Sequence, residues 1–321
     1  DPPLNEFIQA ATDVEAQALA SKLGVSVATI KAKFADLNEH NPMLGHRGCR
    51  LAITYPEIYE MQVEAIALAT AHAEKDGIAH DVRIMIPNVT SVNELKQIRA
   101  QAEAVIAKVN EAKGTNLKFQ IGSMIEFPRA ACTADQIAQY ADFFSFGTND
   151  LTQTTFGFSR DDYGKFIDSY LDQKILEKDP FKTLDPDGPG ALMEIAEAKG
   201  RSVKSDLHLG ICGEHGGDPD SIALCYKLGL NYVSCSPFRV PAARLAGAQA
   251  VIKALAAAKA AKAPAKKPAA KKTVAEKKTS TTKKPAAKAP AKKAPAKKST
   301  AKKPAAKAPA KKAPAKKTTK K

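Results

Sequence analysis

The 321 residues contain no apolar run approaching the roughly 18 residues that a membrane-spanning helix needs. No secretory leader opens the chain and no SKL-type tripeptide closes it, so the expectation is a cytoplasmic protein with no membrane partner. Cysteine is sparse: Cys49, Cys132, Cys212, Cys225 and Cys235 are odd in number and scattered, and no CxxC pair occurs. Cys212 with His215 makes only a weak CxxH. Such usage argues against a disulfide scaffold or a structural zinc site and fits a reducing compartment. Acidic and aromatic residues are nearly missing from one region. Residues 253–321 hold 25 Lys, a single acid (Glu276) and no aromatic, a net charge of +24. Residues 1–252 hold 24 Lys+Arg against 33 Asp+Glu, a net of −9, so the overall +15 describes neither part.

The domain reading follows from that break. Residues 1–252 are long enough for one sizeable core. Residues 253–321 are Lys, Ala, Pro, Thr and Ser, with Leu255 and Val274 the bulkiest, and cannot bury enough apolar surface to offset chain entropy. They are expected to be a disordered tail. The segment KKPAAKAPAKKAPAKK occupies Lys283 to Lys298 and again Lys302 to Lys317. Frequent proline forbids a long helix and lysine repulsion favours extension. The tail resembles those of linker histones and lysine-rich bacterial histone-like proteins. It should bind nucleic acid or another polyanion through phosphates, without base stacking. The bland alternative is a solubilising low-complexity extension.

What the first part contains is an alternation of helix and strand signals. Residues 2–40 read as a helical insertion, with helices from Val14 to Leu23 and Val27 to Leu37. Pro56 suits a first helical position, with Ile58, Met61, Ala65, Ile66 and Ala69 on one face. Strands follow at Asp81–Pro87, Lys118–Glu126, Phe143–Phe146, Leu207–Cys212 and Tyr232–Ser236. Between them, Ser91 with Glu94 forms a capping box for a helix closed by Gly114. Thr133 with Gln136 caps a short helix, another lies near Ala191–Lys199, and Asp218-Pro219 starts a further one. A final helix runs from Val240 to about Leu255. The alternation predicts an α/β fold with a parallel sheet. Five strands are countable; a closed (β/α)8 barrel of the TIM type needs eight, so the expectation is a barrel lacking about three strands upstream of Asp1. An opening Asp rather than Met suggests a fragment or processed product.

The strand exits carry the chemistry. Gly147-Thr148-Asn149-Asp150-Leu151-Thr152-Gln153 leaves a buried strand with a carboxamide beside a carboxylate, good material for a divalent cation and a ligand oxygen, or else an ordinary turn. A second exit carries Glu126, followed by Phe127-Pro128-Arg129, and a third Cys212-Gly213-Glu214-His215-Gly216-Gly217-Asp218. In a parallel sheet these carboxyl ends converge on one face. Gly45-His46-Arg47-Gly48-Cys49-Arg50 adds two guanidinium groups suited to a carboxylate or phosphate.

Asn41-Pro42-Met43-Leu44-Gly45-His46-Arg47-Gly48-Cys49-Arg50-Leu51, Met124-Ile125-Glu126 and the Gly147–Gln153 loop resemble the phosphoenolpyruvate (PEP)-utilising enzymes. His46 and the stretch Gly210-Ile211-Cys212-Gly213-Glu214-His215-Gly216-Gly217-Asp218-Pro219 point, within that group, to the pyruvate, phosphate dikinases. The resemblance runs from about Asp1 to Ile252. It implies a PEP/pyruvate-binding barrel in a Mg²⁺-dependent phosphotransferase that interconverts pyruvate and PEP, with ATP and phosphate chemistry elsewhere. Glu126 and Asp150 occupy the metal-ligand positions. Arg47, Glu126, Gly147, Thr148, Asn149 and Asp150 would bind substrate, Arg47 would stabilise phosphoryl charge, and Cys212 would move a proton at the methyl carbon. Arg50 and Arg129 lie near the site, Arg129 equally readable as a surface cation.

The resemblance also implies partners: pyruvate or PEP, a phosphohistidine domain, a nucleotide-binding domain, and a second copy in a homo-oligomer. No Gly-rich nucleotide loop is present. His40, His46, His72, His80, His208 and His215 are not in a phosphohistidine setting and read as structural or supporting. A second arginine that the family places on an early strand is absent. Two other readings stay open: a polyanion-binding protein carrying an inactive barrel remnant, and a truncated product with neither role.

Overall fold

The computed structural model describes residues 12–39 and 41–262. His40 and the Lys/Ala/Pro repeats lie outside the described residues. Two helices come first, α1 (Asp13–Leu23) and α2 (Val27–Asp36). Thr12 and Glu15 form a capping box on α1, Ser26 caps α2, and Gly24 turns the chain between them with a left-handed φ of 67°. Ala16, Ala20 and Ile30 form a small core of their own, as a helical insertion requires.

The domain then reads α3 (Cys49–Thr54), α4 (Pro56–Lys75), β1 (Arg83–Ile86), α5 (Val92–Lys113), β2 (Gln120–Ile125), α6 (Pro128–Cys132), α7 (Ala134–Ala138), β3 (Phe143–Gly147), α8 (Thr148–Phe156), α9 (Ile167–Asp172), α10 (Pro189–Val203), β4 (His208–Cys212), α11 (Pro219–Lys227), β5 (Tyr232–Val233) and α12 (Val240–Lys262). Every strand pair is parallel and the order is sequential, β1-β2-β3-β4-β5. Among the described residues β1 and β5 are the sheet edges.

Local chemistry explains most of these elements. Ser91 and Glu94 complete the capping box of α5, worth about 1 kcal/mol, and Gly114 ends that helix in the left-handed region. Leu95, Ile98, Ala102, Val105, Ile106 and Val109 make its buried stripe at helical spacing. All five residues of β3 are buried, as a central parallel strand covered on both faces should be. Phe144 and Phe146 are wholly buried there, each contributing about 1.5–3 kcal/mol of apolar burial. Asp142 fastens this centre: its Oδ2 accepts from the Ile121 amide at 2.8 Å and from Arg99 of α5 at 3.0 Å. The Asp218 side chain caps α11 through the Ser221 amide at 2.9 Å.

Several expectations are corrected. The face of α4 is only partly the one read from Ile58, Met61, Ala65, Ile66 and Ala69: Ile66 packs on the core, but Met61, Ala65 and Ala69 are exposed, and Val63, Ala67, Thr70 and Ala71 are the buried residues. The helix packs against α5. Thr133 does not cap α7; its hydroxyl donates instead to the Arg129 carbonyl at 2.9 Å. The Gly147–Gln153 segment is not a loop: Gly147 ends β3 and Thr148 to Gln153 belong to α8. Helix α12 continues ten residues beyond Ile252, into the segment assigned to the tail. Residues 253–262 are mostly alanine and precede the first proline of that segment, Pro264, so nothing stops the helix there.

Candidate active site

The carboxyl ends of β1 to β4 bring the singled-out residues together. Register pairs Ile125 with Phe146 and Gly147 with Cys212, so Glu126, Gly147 and Cys212 leave the sheet at one level, with Thr148 one residue beyond. Glu126 follows β2 directly and is 2% exposed. Its Oε1 accepts the Asn88 amide at 2.5 Å. Asn88, just past β1, holds a left-handed φ of 58°, a conformation that asparagine tolerates better than most residues. Asp150 stands in the first turn of α8 and is 5% exposed. Arg47, 8% exposed, places Nη2 at 3.6 Å from Asp150 Oδ2 and donates through Nη1 to the Met43 carbonyl at 3.3 Å.

Two carboxylates and a guanidinium are thus buried in one place. Burial, and next the negative charge of Asp150, push the Glu126 carboxyl up to about 8; the Asn88 amide and Arg47 pull down without prevailing. Ionised, the trio carries one negative charge in excess. Gly147 makes the arrangement possible, because a Cβ there would stand 2.5 Å from Glu126 Oε2 and 2.6 Å from Met124 Sδ.

The β3 and β4 exits are tied to each other. Thr148 Oγ1 lies 3.1 Å from the Cys212 carbonyl and 2.8 Å from His215 Nδ1. Asn149 Oδ1 accepts the Glu214 amide at 3.3 Å. The Cys212 thiol, partly buried, points at the Phe146 carbonyl with Sγ at 3.6 Å. Burial pushes it up to about 11, and the nearby Glu126 and Asp150 charges add to that push.

Not every expected residue joins. Both 2.6 Å bonds of Arg50 Nη1 go to the Leu44 and Gly45 carbonyls, and its guanidinium lies 5.5 Å from the Phe127 ring centre. It braces the Arg47 segment. Arg129 is exposed and donates to the Thr90 carbonyl. His46 Nε2 meets Thr54 Oγ1 at 2.5 Å, and His208 stacks on Tyr232. Cys212 and His215 do not act as a CxxH pair, since both imidazole nitrogens are engaged elsewhere. Among the described residues no group of three or more His, Cys, Asp or Glu side chains could cage a metal. No described helix is long and apolar enough to cross a membrane. A cavity of about 460 Å³ between Phe156, Pro180, Leu184 and Leu224 contains none of the residues singled out above.

Sequence reasoning passed over Asn88. The signal was available: Pro87-Asn88 follows a strand as Glu126 and Thr148 do, and an asparagine at a strand exit is a candidate for a left-handed turn.

Comparison with known proteins extends the picture. Residues 8–252 match the model of the PEP-binding domain of PEP-utilising enzymes. The chain is 56% identical over 253 residues to pyruvate, phosphate dikinase of Clostridium symbiosum, covering 78% of this chain and 29% of that protein. Identity is 55% over 253 residues to the Rhizobium meliloti dikinase, covering 78% and 28%, and 52% over 254 residues to that of Giardia intestinalis, covering 79% and 28%. The chain therefore spans under a third of the length of these curated relatives. With its parallel α/β sheet and its match over 8–252, this chain belongs to the family of PEP-utilising enzymes, whose PEP-binding domain it carries.

Proposed function

We propose that this chain supplies the pyruvate/PEP half-site of a Mg²⁺-dependent dikinase-type phosphotransferase. The five-stranded sheet is read as part of a (β/α)8 barrel. The phosphohistidine and nucleotide chemistry belongs to other domains, which are absent from residues 12–39 and 41–262. The observation that carries the reading is the burial of Glu126 and Asp150 beside a single guanidinium, at converging strand ends, with Cys212 alongside.

The residues present fit magnesium. Mg²⁺ is held by one or two carboxylates with substrate oxygens and waters completing an octahedron, rather than by an all-protein cage. Glu126 and Asp150 are two such hard donors; burial first and the charge of Asp150 second raise the Glu126 carboxyl, and a divalent cation would relieve that excess of negative charge. Bound there, the ion supplies positive charge that stabilises a developing enolate oxygen and the adjoining carboxylate.

The chain's own groups do the rest. Arg47 holds the negative charge of the phosphoryl oxygens, and its ion pair with Asp150 sets its direction before substrate arrives. The Asn149 amide and the first backbone N–H groups of α8 orient the substrate's oxygens. As the phosphoryl group passes from PEP to the histidine of the phosphohistidine domain, the P–O bond to the enolate oxygen breaks and an N–P bond forms. The Cys212 thiol then gives its proton to the methylene carbon, so a C–H bond forms and the S–H bond breaks. A thiol pushed up to about 11 is protonated at neutral pH, as that donor must be. The reverse reaction takes the proton back from the pyruvate methyl.

Calorimetric titration with oxalate, a planar mimic of the enolate, tests this reading. Binding is expected with Mg²⁺, not without it, and lost in Asp150→Ala. No binding by a cooperatively folded chain would overturn it.

A further inference from the structure

His215 is wholly buried, yet no step assigned above uses it. Its environment fixes its hydrogen. The Pro180 carbonyl, 2.9 Å from Nε2, can only accept, so Nε2 carries the proton. Burial pushes the imidazole down toward its neutral form, leaving Nδ1 as a lone pair. That lone pair faces Thr148 Oγ1 at 2.8 Å, and the same hydroxyl lies 3.1 Å from the Cys212 carbonyl. One hydroxyl proton thus serves two acceptors, one on the imidazole and one on the backbone of the cysteine.

The contact is close on every side. Gly213 holds a φ of 114°, and a Cβ there would stand 2.9 Å from Thr148 Oγ1 and 3.0 Å from Asn149 Oδ1. The Asn149 side chain is bonded in turn to the Glu214 amide. Three segments therefore meet at one imidazole: the start of α8, the exit of β4 and the Pro180 segment. Loss of the Nδ1 contact leaves the Thr148 hydroxyl with the Cys212 carbonyl alone and unties both from the Pro180 segment, so the Cys212 thiol and the Asn149 amide lose that fixed reference.

We propose that His215 is the positioning residue of this site, holding Cys212 in place through the Thr148 hydroxyl. The proposal rests on the half-site reading for its meaning, but its test does not. His215→Asn keeps an acceptor near the Nδ1 position, whereas His215→Gln keeps a donor near Nε2 and abandons Thr148. Iodoacetamide labelling of the full chain at pH 9, followed by peptide mass analysis, reports the Cys212 thiol directly. Buried Cys225 reports folding.

Expected are a rise in the Cys212 labelling rate of about tenfold in His215→Gln and Thr148→Val, roughly the factor that the net worth of one hydrogen bond corresponds to, and no more than about twofold in His215→Asn and Thr148→Ser. Cys225 stays protected throughout. Equal rates in His215→Asn and His215→Gln, or an unchanged rate in Thr148→Val, would overturn the proposal. If a His215 variant exposes Cys225, the Thr148 pair decides alone. Oxalate titration of the parent chain and the His215 variants separates the two readings. Intact Mg²⁺-dependent binding with altered labelling supports both, and altered labelling without any binding in the parent chain rejects only the half-site.

Discussion

Replacing Gly147 by alanine adds one methyl at a crowded point of the site. The new Cβ would stand 2.5 Å from Glu126 Oε2, 2.6 Å from Met124 Sδ and 2.8 Å from Glu126 Cβ. The Met124 sulfur is the end of a flexible side chain and can swing. Glu126 cannot: it is 2% exposed, its Oε1 is held by the Asn88 amide, and its Cβ is fixed to the strand exit. The methyl therefore forces either the β2 and β3 exits apart or the carboxylate out of line. Overpacking of this kind costs about 1–3 kcal/mol. On the proposed reading, disturbing the support that orients a metal-binding carboxylate weakens binding about 10–100-fold. Urea denaturation measures the first effect and Mg²⁺-dependent oxalate titration the second. Gly164→Ala is the control, because nothing lies within 4 Å of a Cβ there and the backbone is not left-handed. Wild-type oxalate affinity in Gly147→Ala would refute the assignment of Glu126 to the site, whatever happened to stability.

Three further outcomes are expected. The raised Glu126 carboxyl binds a proton in the folded chain that the unfolded chain, at about 4.5, has already lost, so stability falls as pH rises from about 4.5 to about 8 and levels off above. His215, lowered by burial, acts in the opposite direction but only up to about its ordinary 6.5, so the fall should be visible between about pH 7 and 8 in metal-free buffer. Saturating Mg²⁺ should flatten it, and urea midpoints across that range check both. Cys212→Ser should slow Mg²⁺-dependent exchange of the pyruvate methyl protons with solvent by about 10²-fold or more while sparing oxalate affinity, measured by proton NMR and calorimetry. Truncation after Lys262 should abolish binding to duplex DNA and spare oxalate binding. In the full chain log K should fall with log salt by about 0.9 per phosphate contacted, read by fluorescence anisotropy.

Much of the architecture was legible because its causes are local. The Ser91–Glu94 box, Gly114 and the Asp218-Pro219 start each satisfy backbone groups within a few residues, so their effect does not depend on the rest of the molecule. The phenylalanine-rich run of β3 announces a covered strand by composition alone. Helix α8 was not legible. Gly147 and a run of threonines argue against a helix locally, yet Thr154 and Thr155 turn their hydroxyls back to the Asp150 and Leu151 carbonyls, and Leu151 is fully buried. Packing overrides propensity there. The face of α4 was only partly legible for a related reason: several stripes of that alanine-rich helix are apolar enough, and only the neighbouring helix selects one.

The candidate site divides along the same line. Sequence by itself determined which residue types stand at the strand exits, since glycine, carboxylate and thiol follow apolar runs at readable positions. It also determined the charge break between residues 1–252 and the lysine-rich remainder. Tertiary structure alone decided that Arg47 pairs with Asp150 while Arg50 is spent on carbonyls, and that Asn88 holds Glu126. It also decided that His215 reaches Cys212 through Thr148. These are contacts between segments far apart in the chain, and their strength depends on how much water the surrounding fold excludes. Desolvation has no sequence signature, and it is what raises the Glu126 carboxyl and the Cys212 thiol together.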